Sequence, residues 1–336
     1  MGLSLGALAV LALGFAIEMG AAGQAAGAAV ARIIAVLAQP VLGLMGHDLV
    51  RDGVELRDPA AGWAVRVSEV CDGMGLVVAL IAAVVVLAPG RGAAAAVWIG
   101  WRILAGVAAI QVFNFLRVVA LAQALGQGGK AFGALHDHVF PLLSVLVIAA
   151  VLIRFGRLAA FAVLAAVLWL LWVPVSGAVS ALLVPPANAV LAGFAPTGVG
   201  EIARSQGLWS VGTMFVAASD PLQLYRAPIE PVHFTLALPV VAAAAVMVRR
   251  PGWLLLALPL MLAALCVAAP VAVMALADAR APVTVLLPAG DGSFVAADYA
   301  LPETQRAVLR LAQNTIVHFL LLVLPVLVLS HRRAPA

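Results

Sequence analysis

The sequence contains few charged residues. Asp, Glu, Lys and Arg make up only 10% of its 336 positions, whereas hydrophobic residues make up 65%. Together with a mean hydropathy of +1.14, this composition excludes an ordinary soluble domain and indicates an integral membrane protein. The net charge is +4, but the arginines stand singly or in pairs and form no stripe, so nucleic-acid binding is not indicated. The lipid bilayer is the first partner that the sequence implies.

Cysteine is also scarce, and motifs for cofactors are missing. The two cysteines lie in different settings, Cys71 beside a polar segment and Cys266 inside a long apolar run, which argues against a disulfide framework. We interpret Cys266 as a small packing residue. No ligand cluster with metal-binding spacing and no glycine-rich nucleotide loop occurs, so neither a metal nor an organic cofactor is implied.

Long apolar runs are abundant and predict an all-α polytopic membrane protein. Eight of them are long enough to cross about 30 Å of hydrocarbon: 3–19, 71–88, 94–117, 138–153, 158–183, 234–248, 252–277 and 313–330. A ninth apolar stretch, 24–46, carries several polar residues and Pro40, so it either spans, dips in and returns, or lies at the interface.

Basic residues predict the orientation of these spans. Cytoplasmic turns are enriched in Lys and Arg, and four places fit that rule: Arg91, the pair Arg154 and Arg157, the pair Arg249 and Arg250, and the basic C-terminal tail. The polar segments between them then face outward: 47–70, 118–137, 185–233 and 278–312. Eight spans place both termini in the cytoplasm, whereas a crossing by 24–46 places the N-terminus outside.

The outward segments and the turn at 154–157 suggest how the chain is organised. Alternating residues around "DPAAG" predict a β-hairpin in 47–70 that leads into Cys71. The segments 185–233 and 278–312 are predicted to form small external caps. The basic turn "RFGR" divides the chain into a domain of residues 1–156 and a second transmembrane domain of residues 157–336.

Three residues that could take part in catalysis are predicted to reach the same external surface of the membrane. Cys71 begins an inward-going helix, Arg117 ends the next helix, and His136 begins the one after it. Unpaired N–H groups at a helix start favour the thiolate, which is the nucleophilic form of cysteine. Histidine exchanges protons near neutral pH, and arginine can stabilise an oxyanion. The three residues therefore indicate a nucleophilic site.

Neighbouring residues support this site. Asn114 lies one helical turn before Arg117 and can orient it or donate a hydrogen bond. Gly73 would let a substrate backbone approach closely. His138 competes with His136 for the role of catalytic histidine, and Asp72 places a carboxylate directly beside the cysteine.

The motifs "EVCDGMG", "NFLRVVAL" and "FGALHDHVFPLL" resemble, in this order, those of the exosortases and archaeosortases. The resemblance covers about residues 1–156 and is closest to the exosortase H branch. It implies that Cys71, Arg117 and His136 are catalytic. Asp72 departs from the family pattern, in which Ser or Asn commonly follows the cysteine. The second half resembles the membrane protein found alongside exosortase H, which implies a natural fusion.

The resemblance implies a membrane-embedded cysteine transpeptidase. Such an enzyme cleaves the C-terminal sorting signal of secreted proteins at the outer face of the membrane through a thioester, and transfers the product to a cell-surface acceptor. It implies a multi-pass protein of the bacterial inner membrane with its active site facing the periplasm. The partners are secreted proteins with sorting signals of the Ile-Pro-Thr-Leu type and the acceptor molecule.

Two other functions stay open on the sequence. A membrane thiol protease would use the same residues without transfer. A transporter or scaffold would use intramembrane charge, for which Arg102, His233 and His318 are the candidates. We interpret the two histidines as interfacial anchors. The absence of an internal repeat disfavours a transporter.

Overall fold

The computed structural model describes most of the chain as helices with two β-sheets. The described residues are 2–67, 72–88, 94–153, 155–194, 198–205, 208–217, 220–229, 235–280, 284–288, 294–299 and 301–330. The chain forms two compact units. The first comprises Met1–Leu168, Val240–Pro251 and His318–Ala336, and the second comprises Trp169–Pro239 and Gly252–Val317. The domain boundary at residue 156 stays a prediction.

The helices follow the apolar runs of the sequence. In chain order they are α1 (Gly2–Glu18), α2 (Ala21–Leu44), α3 (Met74–Leu87), α4 (Ala95–Gly126), the π-helix π1 (Ala134–Val139), α5 (Phe140–Leu152), α6 (Phe155–Trp172), α7 (Ser176–Phe194), α8 (Ala237–Val248), α9 (Trp253–Arg280), α10 (Glu303–His318), the π-helix π2 (Phe319–Val323) and α11 (Leu324–Ser330). The π-helices continue directly into α5 and α11, so each of these runs is one continuous rod.

Six of these helical rods are long and apolar enough to cross a membrane, counted over the described residues: Ala21–Leu44, Ala95–Gly126, Ala134–Leu152, Ser176–Gly193, Trp253–Ala279 and Glu303–Ser330. They are consistent with a helical membrane protein. Most of the ambiguous stretch 24–46 lies in α2, a continuous helix of 24 residues that ends at Leu44. Four other apolar helices are shorter, namely Ser4–Glu18, Met74–Leu87, Gly156–Trp172 and Ala237–Val248, so the total of eight spans stays a prediction.

The sequence predicts one span over 158–183, but this run does not form one helix. It divides into α6 and α7 at a turn of residues 173–175 that contains Pro174. A proline disfavours the helical conformation of the residue before it. The Ser176 hydroxyl then donates to the Val173 carbonyl at 2.8 Å, across the turn. The apolar character of the run gives no indication of this break in the helix.

The hairpin predicted within 47–70 is present and gains a third strand. Strands β1 (Val50–Asp52), β2 (Glu55–Asp58) and β3 (Trp63–Arg66) form an antiparallel sheet in the order β1-β2-β3. The turn between β2 and β3 ends at Gly62, whose φ of 71° favours glycine. The inner face of the sheet packs on α2 and α4 through a cluster that contains Leu56, Val67, Ala35, Ala38, Val118 and Ala122.

His47 links this sheet to α4. Its Nδ1 lies 3.0 Å from Asp58 Oδ2 and its Nε2 lies 2.8 Å from Gln123 Oε1. The Asp58 carboxylate can only accept, so Nδ1 donates to it, and the Gln123 amide, which has both a donor and an acceptor end, pairs with Nε2. The Trp63 ring meets the imidazole edge-on at a centroid distance of 5.3 Å. The sheet is therefore held to α4 by a partly buried link in which the Asp58 carboxylate is the charged acceptor.

Acid is expected to loosen this link. The Ala61 N–H donates to Asp58 Oδ1 at 2.9 Å, and this bond together with His47 lowers the pKa of the Asp58 carboxyl, although burial acts in the opposite direction. Because the folded pKa lies below that of the unfolded chain, the stabilisation is complete above the ordinary aspartate range and is lost as the pH falls through the folded pKa.

Hydrogen exchange of residues 50–66, followed from about pH 7 to about pH 3, measures this loss. Asp58→Asn should raise the exchange at neutral pH and flatten the acid dependence. The exposed Asp48 provides the control, and Asp48→Asn should leave the profile of the parent chain unchanged. Identical profiles for the two variants would contradict the role of Asp58.

The second sheet corrects the prediction of an all-α fold. Strands β4 (Val199–Ser205), β5 (Leu208–Ala217), β6 (Asp220–Ile229), β7 (Thr284–Pro288) and β8 (Phe294–Asp298) form an antiparallel sheet in the order β4-β5-β7-β8, with β6 also paired to β5. These strands lie in the segments that were expected to be small caps. Pairing of Phe215 with Val285 joins two distant parts of the chain, which local sequence patterns do not reveal.

Buried polar and aromatic contacts hold the second unit together. Asn188 of α7 donates from Nδ2 to the Ile202 carbonyl at 3.0 Å and accepts the Ile202 N–H at 2.9 Å, so it continues the edge of β4. Tyr299 packs on Phe215 with ring centroids 4.5 Å apart, and burial raises the pKa of Tyr299 to about 12. The Cys266 thiol, also buried, lies 3.9 Å from the Ala187 carbonyl oxygen.

Candidate functional site

The first turn of α3 is shaped by Asp72 and Gly73. Gly73 precedes the helix with a φ of 78°, a left-handed conformation that favours glycine. Asp72 is only 3% exposed, and its Oδ1 accepts the Met74 N–H at 2.7 Å. A carboxylate at this place satisfies one of the free N–H groups of the first turn and complements the helix dipole. Asp72 therefore has a structural role at the helix start.

The Asp72 carboxylate also lies against α2. A methyl group added at the buried Gly27 would overlap Asp72 Oδ2. Gly27 thus leaves the space that the carboxylate occupies, and α2 takes part in forming the start of α3.

Helix α4 brings Asn114 and Arg117 to this region. Asn114 is fully buried, and its Nδ2 lies 3.1 Å from the position of a methyl group built on Gly73. Arg117 follows one turn later, and its guanidinium carbon lies 6.0 Å from the centroid of the Phe140 ring. Its Nε is buried and has no hydrogen-bond partner among the residues that the structure describes. Arg117 therefore has an N–H group available for a ligand.

The two candidate histidines lie in π1, immediately before Phe140. His136 Nδ1 is 2.8 Å from Asp137 Oδ1, and its ring stacks on Phe132 with centroids 5.6 Å apart. The carboxylate orients this ring through Nδ1, so Nε2 is the nitrogen left for proton exchange. Nδ1 of His138 is buried. The choice between the two histidines stays open.

The structure brings some of the predicted site residues close to one another. It places Gly73 against Asn114, and it joins Arg117 to the rod that carries His136 through Phe140. Cys71 lies outside the described residues, one position before Asp72 in the chain.

His318, which the sequence suggests is an interfacial anchor, also lies in this region. It ends α10, and a methyl group built on Gly75, in the first turn of α3, would lie 2.7 Å from its Nε2. The Phe15 ring contacts the imidazole with centroids 4.8 Å apart. A histidine within an apolar span is costly and is by default a functional candidate.

Arg102 has a structural explanation. It donates to the Val151 carbonyl, and its guanidinium carbon lies 5.7 Å from the Trp98 ring centroid. A cation held by a carbonyl and an aromatic ring links α4 to α5. This arrangement disfavours the use of Arg102 as a transport charge.

No protein family matches the chain, and neither a curated protein nor a solved structure matches it. Within the described parts of the chain, no group of three or more His, Cys, Asp or Glu side chains is arranged to hold a metal ion. The residues around the start of α3 are therefore the evidence for function.

Proposed function

We propose that this chain is a membrane-embedded cysteine transpeptidase of the exosortase type. It cleaves the C-terminal sorting signal of secreted proteins and transfers the product to a cell-surface acceptor. The observation that carries the proposal is the contact of Gly73 with Asn114. Asn114 lies one helical turn from Arg117, whose Nε has no hydrogen-bond partner among the described residues. This contact lies at the helix start that Cys71 precedes in sequence, and it joins two of the three motifs that resemble the family.

The chemistry follows from these groups. The Cys71 thiolate bonds to the carbonyl carbon of the substrate, and the negative charge moves to the carbonyl oxygen. Arg117 stabilises that oxygen through its Nε–H, which no described residue accepts. The peptide C–N bond then breaks, a histidine of π1 protonates the departing amine, and a thioester remains. An amine or another nucleophile of the acceptor takes the acyl group and releases the thiol.

We also propose how the chain crosses the membrane and how its two domains divide the work. The chain has eight spans in a bacterial inner membrane, with the start of α3 facing the periplasm. Residues 1–156 form the catalytic domain, and residues 157–336 form a second domain that recruits substrate or braces the first. The described sheet of the second unit, β4 to β8, supplies a folded body for such a role.

Trapping the thioester tests the proposal. The protein, reconstituted in liposomes, is mixed with a secreted protein that ends in a short motif, one apolar helix and basic residues. Added hydroxylamine should accept the acyl group, so that the mature C-terminus carries a hydroxamate by mass spectrometry. Cys71→Ala should leave the substrate intact in the membrane, whereas Cys266→Ala should process it normally because Cys266 is buried in the second unit.

The alternative outcomes separate the functions. A free carboxylate as the only product, even with hydroxylamine present, indicates a thiol protease. Normal processing by Cys71→Ala excludes both cysteine mechanisms.

A further inference from the structure

Two arginines of α10 share one carboxylate at the end of α9. Arg306 Nη2 donates to Asp278 Oδ1 at 2.7 Å, and Arg310 Nη2 lies 3.8 Å from Asp278 Oδ2. The arginines are one helical turn apart, so they stand on the same face of α10. We call Asp278, Arg306 and Arg310 the arginine cluster. Because one negative charge serves two positive charges, the cluster carries an excess of positive charge.

The arginine cluster keeps donors for a ligand. Each guanidinium has several N–H groups, and the contacts with Asp278 use only Nη2 of each. The side chains are accessible, since Arg306 is 30% exposed and Arg310 is 56% exposed. The neighbouring acids Asp298 and Glu303 form no ion pair with either arginine within the described part of the chain. The remaining donors are therefore open to an anion from outside the chain.

The cluster lies where two helical rods leave their apolar runs. Residues 253–277 of α9 contain no Asp, Glu, Lys or Arg, and Asp278 is the first charged residue after them. Residues 311–330 also contain none of these four residue types. At about 1.5 Å per residue they extend for about 30 Å, the thickness of the hydrocarbon layer. Arg310 thus marks one boundary of that layer, and the ion pair of Arg306 with Asp278 brings the end of α9 to the same level.

A buried aromatic side chain lies beside the cluster. The Tyr299 ring packs on Phe215 of β5. Its hydroxyl is buried, and the charges of Arg306 and Asp278 both act on it. Low-dielectric surroundings strengthen the attraction between opposite charges. An anion at the arginine cluster is therefore held more strongly than an anion at a fully solvated arginine.

We propose that the arginine cluster binds the phosphate of an anionic phospholipid headgroup, an inference that goes beyond the proposed function and does not depend on it. Arginine binds phosphate oxygens through paired N–H groups, and lipid phosphates lie just outside the hydrocarbon boundary, where the cluster lies. Arg306 and Arg310 donate to the phosphate while Asp278 holds the two guanidinium groups in place. The excess of positive charge favours a lipid of net negative charge over a zwitterionic lipid.

Native mass spectrometry of the full-length chain in detergent tests this proposal. The protein is titrated separately with phosphatidylglycerol, phosphatidylcholine and sodium phosphate, and the Kd of the first bound molecule is measured. Phosphatidylglycerol should bind most tightly. Arg306→Gln and Arg310→Gln should each weaken its binding by about tenfold, because each removes charge-assisted hydrogen bonds to the phosphate. Arg204→Gln, at an exposed arginine of β4 in the same unit, should leave the Kd unchanged.

A conservative variant separates binding from folding. Arg306→Lys keeps a positive charge beside Asp278 but loses the paired donors. It should bind phosphatidylglycerol severalfold more weakly than the parent chain, with an unchanged Tm in the absence of lipid. Thermal unfolding in detergent is measured for all variants.

The lipid assignment would be wrong in each of the following cases. Unaltered affinity in both glutamine variants would exclude the arginine cluster as the site, and equal affinity for the two lipids would exclude selection by charge. Sodium phosphate that binds as tightly as phosphatidylglycerol would identify a soluble anion as the ligand. A glutamate-rich peptide that displaces the lipid at a lower concentration would identify an acidic protein segment. A loss of affinity only in variants with a lowered Tm would show a structural role instead.

Discussion

Replacement of Arg117 with lysine is expected to lower the rate of substrate cleavage by about 10²- to 10³-fold, the usual effect of removing one oxyanion donor. Lysine keeps the positive charge, but it loses the planar set of donors that an arginine directs at a carbonyl oxygen. The buried Nε of Arg117 has no acceptor within the described residues, so the donor that lysine lacks is the one left for the substrate. The loss should appear in kcat more than in KM.

The control for this prediction is another arginine of the first unit. Arg157 donates from Nη1 to the Leu329 carbonyl at 3.4 Å, a contact that a lysine ammonium can also make. Arg157→Lys should therefore retain the cleavage rate. Cleavage in proteoliposomes and thermal unfolding in detergent are measured for both variants. A fully active Arg117→Lys, or a loss of activity that follows a lower Tm, would exclude the oxyanion role.

The helices were predictable from the sequence because hydropathy is a local property. The apolar run of α4 and the alternation around "DPAAG" each contain the signal for their own element. The second sheet was not predictable in this way, since β6, α8 and α9 lie between β5 and its partner β7 in the chain. Pairing between strands that lie far apart in the chain produces no periodic pattern within a short stretch of sequence.

The candidate site also combines contacts that sequence spacing predicts with contacts that it does not predict. Asn114 and Arg117 are one turn apart on α4, so their association follows from helical spacing alone. The contact of His318 with Gly75 depends on how the last rod packs against α3, and sequence spacing does not encode it. On sequence alone, Asp72 departs from the pattern of the family that the motifs resemble. The structure explains it as the acceptor for the Met74 N–H.

That explanation of Asp72 leads to a prediction about stability. Gly27→Ala is expected to destabilise the protein by about 1–3 kcal/mol, the usual cost of overpacking, because the new methyl group overlaps the Asp72 carboxylate. Gly43→Ala in the same helix should be neutral or stabilising by up to about 1 kcal/mol, because alanine favours a helix and no atom lies within 4 Å of the added group.

A double-mutant cycle identifies the cause of that loss. Asp72→Ala alone should cost about 1 kcal/mol, because the Met74 N–H loses the carboxylate that accepts it at the helix start. In the double variant the carboxylate is absent, so Gly27→Ala should add little further destabilisation, and the two changes should be clearly non-additive. Equilibrium unfolding in detergent measures all four proteins. Additive effects, or a Gly27→Ala variant as stable as Gly43→Ala, would show that the Asp72 carboxylate does not occupy the space that Gly27 leaves.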